Sequence, residues 1–100
     1  MVTDINGITF EWDDEKEKIN IKLHDVDFET AAEIFFDDNV LQRFDDMHSF
    51  GEIRMQAIGA TDDKVLILTS AYTERDNHIR IINARKATKK ERRLYYGQNS

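Results

Sequence analysis

Three runs in the second half of the chain, Glu52 to Ala60, Lys64 to Thr73 and His78 to Lys86, carry apolar and β-branched residues at strand period. The links between them, Thr61-Asp62-Asp63 and Glu74 to Asn77, are hairpin-short. Strands joined this tightly can only pair antiparallel, because a parallel connection needs a crossover of a dozen or more residues. An antiparallel meander is therefore expected, and the rest of the chain must pack on it.

The first half supplies the packing elements. Ile8 to Trp12 alternates apolar and polar residues and predicts a short strand. Asp13 is placed to cap a helix whose first turn holds Asp14 and Glu15, with Ile19 and Leu23 as its expected inward stripe. Asp27 is placed to cap a second helix, with Phe28, Ala31, Ala32 and Phe35 at the spacing of a buried face and Asp37-Asp38-Asn39 as its end. Val40 to Phe44 predicts a short strand, and Asp45 to Ser49 a polar loop. Thr88-Lys89-Lys90-Glu91 matches the capping box and starts a last helix that runs to about Tyr96. This order predicts an α+β domain, helices packed on a curved, mainly antiparallel sheet with a C-terminal helix, occupying residues 1–100 as one unit.

Charge is distributed unevenly. Residues 1–73 hold 6 Lys/Arg against 17 Asp/Glu, whereas residues 74–100 hold 8 against 3. A basic end on a chain of net charge -6 points to a polyanionic partner, or else to a solvated basic helix balanced by acidic ones. The absence of cysteine excludes thiolate chemistry and cysteine-ligated zinc, and it suits a reducing cytoplasm. Met1-Val2-Thr3-Asp4 lacks the basic start of a signal peptide, and no apolar run approaches the ~20 residues of a membrane span. A cytoplasmic protein without a membrane partner is expected.

Side chains alternate across a strand, so the meander can be sorted by face. Ile53, Met55 and Ala57 share one face of their strand, as do Ile79 and Ile81 of theirs. If the helices cover those faces, the opposite face gathers Glu52, Arg54 and Arg80. A carboxylate beside two guanidinium groups has parts for cleaving RNA without metal or cofactor, since guanidinium forks bind a phosphorane's charge. The same three residues also fit an ordinary cross-strand salt bridge. His24, at the end of the first helix, adds an imidazole, a side-chain type suited to acid–base chemistry, although a helix-end histidine commonly serves as a cap. Asp45, Asp46 and His48 match no metal-ligand spacing, so no metal is expected.

Several blocks, in order, resemble one family. Phe10-Glu11-Trp12-Asp13, Asn20, His24, Val26, Phe28-Glu29 and Ala31 form the first. Gly51-Glu52-Ile53-Arg54 with Ile58-Gly59 form the second. Tyr72-Thr73-Glu74-Arg75, Ile79 to Ile82, Ala84 to Ala87, Glu91-Arg92-Arg93 and Tyr95 form the third. Over residues 8–96 the chain resembles BrnT toxins. The resemblance implies a RelE-like fold and a ribonuclease that blocks translation. It also implies a BrnA-like ribbon-helix-helix antitoxin that represses their shared promoter, so that DNA is met only through that partner. Carried over by position, it implies roles for His24, Glu52, Arg54 and Arg80 in catalysis and for Arg75, Arg85 and Lys86 in holding RNA; Lys22, one residue before the family's lysine position, joins them as a phosphate contact only if the helix end shifts. Leu23 and Asp25 stand where the family commonly has lysine and glycine. That departure motivates a second expectation, a weakened toxin-like module whose task is to hold the antitoxin and tune repression.

Overall fold

The computed structural model describes residues 1–45 and 51–98. In chain order the elements are β1 (Val2–Ile5), β2 (Ile8–Glu11), α1 (Asp14–His24), α2 (Phe28–Glu33) and a 3₁₀ turn (Ile34–Phe36). They continue with β3 (Leu41–Phe44), β4 (Met55–Ala60), β5 (Ile67–Arg75), β6 (His78–Lys86) and α3 (Lys89–Gly97). The six strands form one sheet in the order β1-β2-β6-β5-β4-β3. All neighbours are antiparallel except β2 and β6, which run parallel. This is the α+β arrangement expected, with its meander at β4-β5-β6 and its C-terminal helix.

Local signals account for most boundaries. The Asp13 carboxylate accepts from the N–H groups of Glu15 and Lys16, and the Asp27 carboxylate accepts from Thr30. The full capping box is present at Thr88 and Glu91. The β5–β6 turn places Asp76 and Asn77 at φ 49° and 65°, the left-handed pair that a two-residue hairpin requires. Strand β1 is an element the sequence reading lacks. It pairs with β2 through a turn at Asn6-Gly7, both at positive φ.

Two apolar layers cover the sheet. Phe10, Trp12, Phe28, Ala31, Leu68, Tyr72 and Ile81 belong to the main core, under α2 and the 3₁₀ turn. Ile58, Ala60, Ala87 and Tyr95 form a smaller one beneath α3 on the other face. At Gly59 a Cβ would lie 2.9 Å from the Ile34 carbonyl oxygen, so glycine lets the 3₁₀ turn sit directly on β4.

Helix α1 departs from expectation. Ile19 and Leu23 are 58% and 69% exposed, so they form no inward stripe. The buried residue of α1 is Asn20. Of β6, strand β2 pairs only with His78 to Arg80, leaving the later part of β6 without a strand on that side. Asn20 fills the gap: its amide donates to the carbonyls of Ala84 and Val26, and its carbonyl accepts from the Ala84 N–H. The helix is thus attached to the sheet edge by hydrogen bonds more than by apolar packing.

One irregularity sets the site. Ala71 pairs with Asn83 but Tyr72 pairs with Ile81, so Ile82 is an extra residue on β6. The Asn83 carboxamide oxygen accepts from the Ala71 N–H at 3.3 Å, satisfying the backbone at the irregularity.

Candidate functional site

On the face of the sheet opposite the main core, one shallow groove of about 220 Å³ is lined by Glu52, Arg54, Thr73, Arg75, Arg80 and Lys16. The expected trio of Glu52, Arg54 and Arg80 is therefore brought together, and Arg75 joins it. Strand pairing explains the convergence. Arg80 lies opposite Thr73 on β5 and opposite Glu11 on β2. The β4 register, Met55 against Tyr72, puts Arg54 next to Thr73 just before the strand begins. Glu52 and Arg54 precede β4, which starts at Met55 instead of Glu52.

Each guanidinium faces a carboxylate. Arg75 donates through Nε and a terminal nitrogen to both oxygens of Glu52, at 2.6 to 3.0 Å. Arg80 lies 3.5 Å from Glu11, and Arg54 lies 3.8 Å from Asp45. Glu11 also approaches His78 Nδ1 at 3.6 Å. The Arg75 fork holds the Glu52 carboxyl down at about 2. A carboxylate so strongly paired is a poor proton acceptor near neutral pH. Its evident effect is to fix Arg75.

His24 lies in an adjoining concavity with Asn20, Leu23 and Asn83, which shares Lys16 and Ile82 with the arginine groove. It is near the group but outside it. Asp25 adopts φ 57° as the C-cap of α1, the left-handed conformation in which glycine is most at ease. Lys22 is exposed in the last turn of α1.

Arg85 and Lys86 lie apart from the groove. The Arg85 guanidinium donates to both oxygens of Glu91, at 2.6 and 3.0 Å, anchoring α3. Glu91 also accepts from the Thr69 hydroxyl and the Thr88 N–H. Burial alone would raise the Glu91 carboxyl, but these donors outweigh it and hold it at about 2. Lys86 is exposed at the end of β6.

Sequence reasoning missed Glu11, Lys16 and Thr73. Glu11 meets Arg80 across the parallel β2–β6 pair, a long-range register that no local pattern announces. Thr73 carried a usable signal, since it faces Arg80 in the expected hairpin.

Among the described residues no group of histidine and carboxylate side chains is arranged to hold a metal. Of Asp45, Asp46 and His48, whose spacing matches no metal site, Asp46 and His48 lie outside the described residues. No helix among the described residues is long and apolar enough to cross a membrane.

Residues 12–91 match the family model described as ribonuclease toxin, BrnT, of type II toxin-antitoxin system. No curated protein sequence matches the chain at a significant level.

Proposed function

The chain belongs to the BrnT family of ribonuclease toxins of type II toxin–antitoxin systems, and from that premise we propose a metal-independent endoribonuclease that cleaves RNA through its 2′-hydroxyl and inhibits translation. The observation that carries this reading is the convergence of Arg54, Arg75 and Arg80, with Lys16, on one open groove. Guanidinium groups held by carboxylates are preorganised to meet charge as it develops on a phosphorane.

In the proposed reaction the substrate 2′-hydroxyl loses its proton to an imidazole, and its oxygen bonds to phosphorus. The bond to the 5′-oxygen breaks, and that oxygen takes a proton back, leaving a 2′,3′-cyclic phosphate and a 5′-hydroxyl. His24 is assigned the proton transfers, from the concavity adjoining the groove. Glu52 is assigned a positioning role through Arg75. Lys22 and Lys86 extend contact along the RNA backbone, while Arg85 serves α3 through its hold on Glu91.

The family also implies an antitoxin partner. A BrnA-like ribbon-helix-helix protein, with DNA met only through it, fits this reading. The decisive experiment is cleavage of a defined RNA by purified protein in excess chelator, with Arg80→Ala alongside. Cyclic-phosphate ends from the wild type, and a loss of about 10²-fold or more in the variant, are expected. Intact RNA would leave the second reading, a weakened toxin-like module that holds the antitoxin and tunes repression, which Leu23, exposed where the family commonly has lysine, favours. Growth arrest on expression, relieved by the antitoxin and absent in Arg80→Ala, speaks against that module.

A further inference from the structure

A second cavity, of about 430 Å³, opens beside the arginine groove and is lined by Phe44, Glu52, Ile53, Met55 and Glu74. Glu52 lines both concavities. Two of the walls are large apolar side chains left open to solvent, Phe44 at 65% and Ile53 at 63% exposure. Phe44 lies opposite Met55 in the β3–β4 pair, so an aromatic ring and a thioether flank one opening. Glu74 is exposed and, among the described residues, makes no hydrogen bond or ion pair. The other carboxylate of the wall, Glu52, is already taken by Arg75.

An exposed ring beside apolar walls is a stacking platform for a nucleobase. The carboxylate decides which base. It can only accept hydrogen bonds, so it needs a base edge that donates. Guanine offers two adjacent donors, N1–H and the 2-amino group, to the two oxygens of one carboxylate. Adenine and cytosine offer one amino group flanked by an acceptor nitrogen, and uracil one imide N–H flanked by carbonyls. Glu74 and Arg75 are neighbours near the end of β5, and successive strand residues point to opposite faces. A nucleotide bent over that strand end meets Glu74 with its base and the Arg75 side with its phosphate.

We infer that the cavity at Phe44, Ile53, Met55 and Glu74 is a guanine-selective base subsite adjoining the arginine groove. The inference rests on the RNA reading above and specifies its sequence preference. It is tested by binding as well as by cleavage, so that the two can fail separately. Four short 2′-O-methyl RNAs, identical except for one central G, A, C or U, cannot be cut through the 2′-oxygen and report binding alone. The full-length wild type is expected to favour the G oligomer by at least about fivefold, the lower end of what a bidentate base contact provides. Glu74→Gln removes that ratio, while any purely electrostatic effect of the lost charge strengthens all four alike. Phe44→Ala weakens all four, as loss of a stacking ring does. Equal binding of the four oligomers by the wild type, or an unchanged G ratio in Glu74→Gln, overturns the subsite even if RNA is cleaved normally. Selective G binding without cleavage of unmodified RNA keeps the subsite and removes the nuclease.

Discussion

The Arg75 guanidinium grips both oxygens of Glu52, its Nε at 2.8 and 3.0 Å and a terminal nitrogen at 2.6 Å. The pair turns the most obvious general base in the groove into a clamp. With its pKa held at about 2, Glu52 stays ionised through the whole range in which RNA cleavage is assayed. Glu52→Gln should therefore slow cleavage by roughly tenfold through a less ordered Arg75, with the shape of the pH–rate curve unchanged. Disappearance of an acid limb in the variant would make Glu52 the proton acceptor and reassign His24.

The forks at Arg54 and Arg80 are expected to matter as forks, beyond their charge. Lysine keeps the charge but offers a single point of contact. Arg80→Lys should recover only a minor part of the activity lost in Arg80→Ala, and the loss should appear in kcat more than in KM. Equal activity of Arg80→Lys and wild type would reduce the cluster to a general positive field, testable as a matching salt dependence in both proteins.

Glu91 is one group that should make the fold sensitive to acid. Its folded pKa lies below its ordinary value, at about 2 against 4.5. The stability it contributes is accordingly complete above about pH 4.5 and is lost as pH falls towards 2. Glu91→Ala breaks a half-buried bidentate pair with Arg85 and removes the capping box, at an expected cost of about 2 kcal/mol at neutral pH. Chemical denaturation should show that loss at pH 7 and a shallower decline with acid than the wild type has. Parallel acid curves for the two proteins would place the acid sensitivity elsewhere.

Asn20 should behave as a backbone surrogate. Asn20→Ala leaves the N–H and carbonyl of Ala84 without their partner and should cost about 2–4 kcal/mol. Asn20→Asp preserves shape but sets a carboxylate against the carbonyls of Val26 and Ala84, so it should be no better at pH 7 and recover on acidification. Hydrogen exchange at the Ala84 amide reports the same edge directly. Unchanged protection there in Asn20→Ala would mean that α1 is held by other contacts.

Local chemistry was well written in the chain. The caps at Asp13, Asp27 and Thr88 act within a few residues of themselves, and the structure has all of them. The face assignment of His78 to Ile81 also held, because it needed only alternation from a known turn. The inward role of Ile19 and Leu23 did not, since spacing alone cannot distinguish a helix that packs by apolar contact from one that hangs on Asn20. The strand Val2–Ile5 is announced by Asn6-Gly7, a strong hairpin signal. Arg85 and Glu11 were beyond reach for a different reason. Their partners come from separate elements, and the register that joins them is set by the whole sheet.

The surplus residue Ile82 makes strand length itself a determinant of the site. On one side of it Ile79 and Ile81 face the main core and Arg80 faces the groove; on the other Ala84 faces that core and Asn83 turns away. Unbroken alternation with Ile82 kept in the ladder would force a choice: either the guanidinium of Arg80 is driven in among Phe10 and Tyr72, or Ala84 leaves the edge that Asn20 completes. Substitutions along β6 can be graded by chemistry, but its residue count admits no such gradation.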